Sequence, residues 1–396
     1  MAVAADRSTT TAANDQFHTP ATGRGLNVAL RRTAVAVAGG RLEWELGFDA
    51  RNAKGETNER SGNFGSGFTR SRRAGGETSV AGAYGEGAWS RGDWLLAGGL
   101  RLDHWTSENG RRLERSLTTG LTTLDETDPD RSGTVTSARF AVRRDLGQAY
   151  AVRAAAYSSF RPATLNELYR PFRVGNDLTE ANAALVPEQL TGIEAGLSRT
   201  TEDGGWTVTL FRNVIDDAVV NVTIGAGPGT FPRAGFVPAG GVLRQRQNAG
   251  TVTATGLELT GERQLATRLR LRGAVSVTDA HLDGGAQAPQ LTGLRPAQAP
   301  IWSGTAGLDW QVSSRLTLAG TVQYESRRFD DDLNSRTLAA ATTLGLRADW
   351  AITPGTTLWL AAENLFDADV EVAQTATGVT GFGPPRSLGV GLRLTR

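Results

Sequence analysis

The sequence predicts an all-β fold, specifically a transmembrane antiparallel β-barrel, and three observations carry that expectation. Apolar and polar residues alternate with period two along nearly the whole chain, where an amphipathic helix would show a period of 3.6. Short turns alternate with long polar loops, the asymmetry of barrels that cross an outer membrane. All nine tryptophans lie in or at the ends of the alternating segments, as interfacial girdles require. Glycine contributes 49 of 396 residues, about 12% against an ordinary 7%, so permissive backbone and small side chains recur throughout.

Taken in order, fifteen segments read as strands: 25–38, 40–52, 77–90, 92–106, 132–145, 148–160, 187–200, 204–223, 247–263, 267–280, 300–312, 315–327, 339–350, 355–373 and 385–395. In the tenth, Leu269, Leu271, Ala274 excepted, Val275 and Val277 alternate with Arg270, Arg272, Ser276 and Thr278, so one face is apolar and the other charged. Leu42 to Asp49 repeats the pattern with Trp44, Leu46 and Phe48 against Glu43, Glu45 and Asp49. Tight connections fall at Gly39-Gly40, Arg91-Gly92, Leu146-Gly147, Asp203-Gly204, 264–267, Ser313-Ser314 and 353–355. Between them, loops are expected over 53–76, 107–131, 161–186, 224–246, 281–299 and 328–338, and residues 1–24 read as a loop-like leader to the strands of 25–396. In hydrocarbon every backbone N–H and C=O must be paired, which a sheet achieves by closing on itself. Alternation alone also fits a soluble β-rich binding module, and loop asymmetry and strand length favour the membrane.

Composition removes several classes of function. Lys+Arg total 42 and Asp+Glu 41, a net charge of +1 with the signs interspersed, so no nucleic-acid partner is expected. With no cysteine there is no disulfide, thiolate metal site or cysteine nucleophile. The three histidines, His18, His104 and His281, are too dispersed for a metal-hydrolase motif, and no G-x-S-x-G elbow occurs; neither an enzyme activity, a metal nor a cofactor is expected. Mean hydropathy is −0.28, and no stretch approaches the roughly 18 apolar residues of a spanning helix. Residues 1–20 show neither the basic nor the apolar region of a secretory signal, which taken alone points to the cytoplasm. Fifteen alternating segments outweigh it, and the outer membrane of a Gram-negative bacterium is the expected location, with its lipid as a partner.

Two blocks go beyond a generic barrel. The first is Ser159-Phe160-Arg161-Pro162-Ala163-Thr164-Leu165-Asn166-Glu167-Leu168-Tyr169, followed by Asn182-Ala183-Ala184-Leu185-Val186-Pro187-Glu188 and a strand. The second is Glu363-Asn364-Leu365-Phe366-Asp367, then Gly383-Pro384-Pro385-Arg386 and a closing strand. Together they resemble the mid-barrel and C-terminal signatures of TonB-dependent outer-membrane receptors, over most of residues 25–396. On that resemblance Arg161, Pro162, Glu167, Pro187, Glu188, Asn364, Phe366, Asp367 and Arg386 are structural motif residues. The resemblance implies a 22-stranded barrel around an N-terminal plug, of which this chain carries about 15 strands, incomplete at the N-terminus and without the plug. It further implies a monomer that takes up a scarce nutrient, most commonly a ferric siderophore or vitamin B12, driven by the TonB complex through the missing plug and TonB box. Such receptors usually end in an aromatic residue, and Arg396 stands there instead. A passive porin is the alternative; it shares the alternation but lacks both blocks.

Ligand contacts are expected among loop arginines, because clustered guanidiniums suit an anionic chelate: Arg170 and Arg173, Arg244 and Arg246, and Arg327 and Arg328. The run Asp330-Asp331-Asp332 with Asn334 offers oxygen ligands for calcium but lacks the glycines and spaced glutamate of a binding loop, and reads as an exposed acidic loop.

Overall fold

The protein is described here from a computed structural model covering residues 13–63, 66–375 and 378–395. Fifteen long strands follow one another as an antiparallel meander: β1 (Ala21–Val37), β2 (Gly40–Asn63), β3 (Arg70–Arg91), β4 (Trp94–Ser116), β5 (Arg131–Gly147), β6 (Tyr150–Arg161), β7 (Glu188–Thr201), β8 (Gly204–Asp216), β9 (Thr251–Ala266), β10 (Leu269–Asp283), β11 (Trp302–Gln311), β12 (Leu316–Glu325), β13 (Ala341–Thr353), β14 (Thr356–Glu363) and β15 (Ser387–Leu394). Each is hydrogen-bonded to the next, and β1 and β15 form the two edges of the sheet among the described residues.

Register assigns the two faces. Trp44, Leu46 and Phe48 of β2 point the same way as Leu26, Val28 and Leu30 of β1, and this face continues through Leu100, Phe140, Ile193, Leu210, Leu308, Leu346 and Leu388, all left exposed. A soluble sandwich would bury such a face. The opposite face carries the charges, and they are paired both across and along strands: Arg101 bridges Asp49 of another strand (2.5 Å) and Asp103 of its own (2.6 Å), Arg153 meets Glu194 (2.8 Å) and Arg272 meets Asp309 (3.0 Å) across strands, and Arg347 meets Asp349 (2.7 Å) along one. Arg31 with Glu45 and Arg139 with Glu86 extend the series. Apolar out and charge-paired in is the arrangement of a transmembrane barrel, with hydrocarbon on one side and water on the other.

The short turns gather at one end of the meander. Six tryptophans, Trp44, Trp89, Trp94, Trp206, Trp310 and Trp350, sit on the apolar face near that end and form the expected belt. Two others depart from it. Trp105 is buried on the polar face over Gly133, and Trp359 lies over Gly389 and Gly391 with the Arg347 guanidinium 5.0 Å from its ring.

The long-loop end differs from expectation in four places. The loops expected over 53–76 and 107–131 are mostly strand, because β2, β3 and β4 run 24, 22 and 23 residues and project well past the ten or so that cross a membrane. Both faces of these extensions meet polar surroundings, which erased the alternation. Within the segment expected to be loop-like, Ala13–His18 pairs with the outer part of β2 and β1 begins at Ala21; residues 1–12 and Arg396 lie outside the described residues. The eighth strand stops at Asp216, where Asp217 takes a positive φ of 54°, and Val219–Ala226 joins a separate loop sheet. The fourteenth stops at Glu363 instead of 373. Asn364 has φ 46° and its side chain closes a turn onto Ala368, accepting its N–H and donating to its carbonyl, both at 2.9 Å.

Candidate ligand vestibule

The mid-barrel motif builds the inner rim of the loop end. Thr164 caps a five-residue helix, α1 (Leu165–Tyr169): its hydroxyl accepts the Glu167 N–H, and the Glu167 carboxylate accepts the Thr164 N–H at 2.7 Å. This reciprocal cap lets so short a helix persist. Arg161 then grips Glu167 with both terminal nitrogens (2.9 and 3.1 Å) and also pairs with Glu188, whose other oxygen accepts the Val219 N–H at 2.7 Å. One arginine thus ties the end of β6, the helix, the start of β7 and the next loop. Burial opposes ionisation of Glu167, but the hydrogen bonds from Arg161 and Thr164 outweigh it and hold its carboxyl below the usual range. Pro162 precedes the cap, and Pro187 is buried beside Glu188.

Tyr169 anchors α1 to the wall. It is 4% exposed, its hydroxyl lies 2.7 Å from the Ser107 Oγ, and its ring occupies space left by two glycines. A Cβ at Gly76 or Gly110 would fall 2.4 or 2.3 Å from ring carbons, so both positions exclude any side chain while Tyr169 is seated. Asn182 fastens the following loop, its amide donating to the Arg246 carbonyl at 3.0 Å. In the C-terminal block, the Asp367 carboxylate accepts the Arg386 N–H at 2.8 Å, while Phe366 is exposed.

Above α1 the loops form a four-stranded sheet of Phe172–Val174, Asp177–Glu180, Val242–Asn248 and Val219–Ala226. Its strand Asp177–Glu180 is buried throughout and latched at both ends by ions. At one end Glu180 meets Arg112 (2.6 Å), which meets Glu114 (2.6 Å), which meets Arg72 (2.7 Å), which meets Glu59 (2.8 Å). At the other, Arg244 spans Asp177 and Asp332, both at 3.1 Å, and Asp332 accepts the Thr223 N–H at 2.8 Å.

These latches relocate the sequence-predicted residues. Arg244 is consumed by its two aspartates. Asp331 and Asp332 are buried rather than exposed, with Asp331 accepting from Ser335 (2.6 Å) and the Arg336 N–H (2.7 Å); the expectation of an exposed acidic loop fails because Arg244, 88 residues away in sequence, folds onto it. Among the described residues no group of three or more acidic or histidine side chains could hold a metal ion. Arg328 is buried against Gln298, Glu325 and the Glu371 carbonyl, and its neighbour Arg327 is exposed.

Arg170 and Arg246 come together, whereas Arg173 projects from the other face of the loop sheet, in register with Leu178 and Leu243. Arg246 donates to the Asn166 carbonyl (2.5 Å) and the Arg170 carbonyl (3.1 Å), with its guanidinium 4.9 Å from the Phe172 ring, while Arg170 reaches Glu59 at 3.4 Å. Arg173 donates to the Phe236 carbonyl at 2.8 Å. Burial and the neighbouring Arg72 and Arg70 push Arg173 down to about 10, and burial with Arg170 lowers Arg246. A guanidinium whose surroundings disfavour its charge gains when an anion arrives. The buried acids Glu59, Glu114, Glu180 and Asp177 were missed, since isolated acids in polar stretches carry no signature of burial.

Comparison with known proteins decides the family. The profile of the TonB dependent receptor-like β-barrel matches residues 3–365. The chain belongs to this family. The TonB-dependent barrel superposes on the ferric yersiniabactin uptake receptor FyuA from Yersinia pestis with TM-score 0.74 at 15% identity, covering 97% of this chain and 55% of that one. It is similarly close to the siderophore receptor PiuA from Acinetobacter baumannii (TM-score 0.70, 13% identity, 95% and 56% covered) and to the copper transporter OprC (0.70, 16%, 95% and 57%). At such identities the likeness is one of fold, and the chain spans little more than half the length of these structures. A search of curated proteins found no match. The family consists of receptors and transporters, not enzymes, and neither the family nor these structures favour a porin.

Proposed function

We propose that the chain supplies the barrel of an outer-membrane receptor for an anionic ferric siderophore, and that the ligand meets Arg170 and Arg246 at the loop end. The observation that carries this reading is that Arg170 and Arg246 converge beside the Phe172 ring, the Arg246 guanidinium 4.9 Å from that ring and the Arg170 Nε buried with no hydrogen-bond partner among the described residues. In the assembled receptor the barrel is a scaffold and half of the site. Energy reaches it from the TonB complex through a plug, and gating belongs to that plug. The apolar face of the sheet meets outer-membrane lipid, and one copy suffices as a monomer.

The test is binding of ferric citrate and of a ferric tris-catecholate to the folded chain in detergent, followed by tryptophan quenching. Arg170→Gln/Arg246→Gln is expected to weaken binding about tenfold or more, each charge-assisted contact contributing roughly 1 kcal/mol or above. Binding of neither chelate, or equal binding by the double variant, refutes the reading. Constitutive ion conductance in a planar bilayer, unaffected by chelate, would instead support a porin.

A further inference from the structure

At the short-turn end, the apolar face carries two arginines that the fold leaves without an acid. Arg144 of β5 is the cross-strand partner of Trp94, and its guanidinium lies 5.0 Å from that ring. Arg199 of β7 stands opposite Tyr150 on one side and Trp206 on the other, 5.4 Å from the Tyr150 ring, and those two rings meet edge-on at 6.3 Å. Both arginines are exposed, and neither takes part in an ion pair or a side-chain hydrogen bond among the described residues. The neighbouring carboxylate in sequence, Asp145, is on the polar face and pairs with Arg143 at 2.8 Å.

Aromatic stacking covers the face of each guanidinium and leaves its in-plane N–H groups open, the geometry that receives a phosphate. Through Val152 and Leu197 the register puts Arg144 two strands across and two residues along from Arg199. At about 4.8 Å per strand and 3.3 Å per residue, their Cα atoms are roughly 12 Å apart, within reach of one headgroup for two side chains of this length. The exposed Leu197 between them supplies an apolar surface for an acyl chain.

We infer that Arg144 and Arg199 together bind the phosphodiester headgroup of an anionic phospholipid, such as phosphatidylglycerol, with the flanking rings at the level of its glycerol backbone. The site rests on the reading that the apolar face meets lipid. It is separate from the ligand vestibule, which lies at the opposite end of the strands, and it anchors the barrel's height and orientation in the bilayer leaflet nearest the short turns.

The experiment reconstitutes the full chain into vesicles of phosphatidylcholine with a minor fraction of phosphatidylglycerol, confirms insertion by flotation, and extracts it for native mass spectrometry of retained lipid. The wild type is expected to retain phosphatidylglycerol over phosphatidylcholine by about thirtyfold, at roughly fivefold per arginine near an anionic surface. Arg144→Gln/Arg199→Gln should abolish the preference, whereas the charge-matched Arg268→Gln/Arg315→Gln, altered in two other turns of the same end, should keep it. Inorganic phosphate should not displace the lipid; displacement would overturn the assignment to a membrane headgroup. An inserted wild type with no preference, or a double variant that keeps it, overturns the site alone. A chain that fails to float overturns the membrane reading and the site with it. If the glutamine variant does not fold, Arg144→Lys/Arg199→Lys serves: loss of planar, stacked guanidiniums should still cut the preference, and an unchanged value refutes the geometry.

Discussion

Replacing Tyr169 tests whether the mid-barrel motif works as a latch. The side chain is almost fully buried, so Tyr169→Ala forfeits the ring's packing and its hydroxyl bond to Ser107, a loss of about 3–5 kcal/mol for a large aromatic residue. Tyr169→Phe removes the hydroxyl alone and should cost about 1 kcal/mol. The side chain meets the wall at Gly76, Gly110 and Ser107 and forms no part of the strand ladder, so undocking of α1 should be local and leave that ladder intact. Two amides report it: the Leu168 N–H, bonded to the Thr164 carbonyl at 3.0 Å, and the Asn182 N–H, bonded to the Glu167 carbonyl at 3.0 Å. Since about 1.4 kcal/mol is a factor of ten, a 4 kcal/mol loss raises their hydrogen-exchange rate several hundredfold in the alanine variant and about fivefold in the phenylalanine variant. Gly76→Ala should be costly by about 1–3 kcal/mol in the native background, because its Cβ collides with the ring, and nearly neutral once Tyr169 is alanine. Unchanged exchange in Tyr169→Ala, or a Gly76→Ala cost that persists without the ring, would refute the reasoning.

Two further outcomes follow from the same contacts. Glu167 is held below its ordinary value of about 4.3, so its contribution is complete above that value and fades as pH falls through the lower folded value; docking of α1 should hold from pH 7 to about 5, loosen below about 4, and become weaker and pH-independent there in Glu167→Gln, read by the same two amides. Arg72→Met removes the middle link of the buried chain of ions, leaving Glu59 with Arg170 at 3.4 Å and Glu114 with Arg112, and should lower stability by about 3 kcal/mol in urea titration, against at most about 0.5 kcal/mol for Arg143→Gln, whose partnership with Asp145 is half exposed; equal effects would show that the chain of ions is not desolvated.

Most of the architecture was legible in the primary structure because it depends on a local rule. A strand with hydrocarbon on one side and water on the other must alternate, and the alternation in Leu42–Asp49 or Leu269–Thr278 therefore located β2 and β10 without any partner being known. The short turns were equally local, since a chain reversing in two residues needs left-handed backbone, as Gly39 at φ 74° and Gly147 at φ 80° show. The rule fails where both faces of a strand meet the same medium. That is why the outer thirds of β2, β3 and β4 read as loop, and why Trp105 and Trp359 were placed in a belt they do not join.

The roles of the loop arginines were decided by tertiary structure alone. Arg244 and Arg246 are chemically alike and lie two residues apart on one loop strand, yet one is neutralised by Asp177 and Asp332 while the other stacks on Phe172 beside Arg170. Nothing near either residue in the chain distinguishes them, because a charge is satisfied or left wanting by groups that arrive from 60 to 100 residues away. Period and turn chemistry are properties of neighbours in sequence and can be read there. Charge compensation is a property of neighbours in space, and the choice between a structural latch and an anion-binding group exists only after the loops have folded over the end of the sheet.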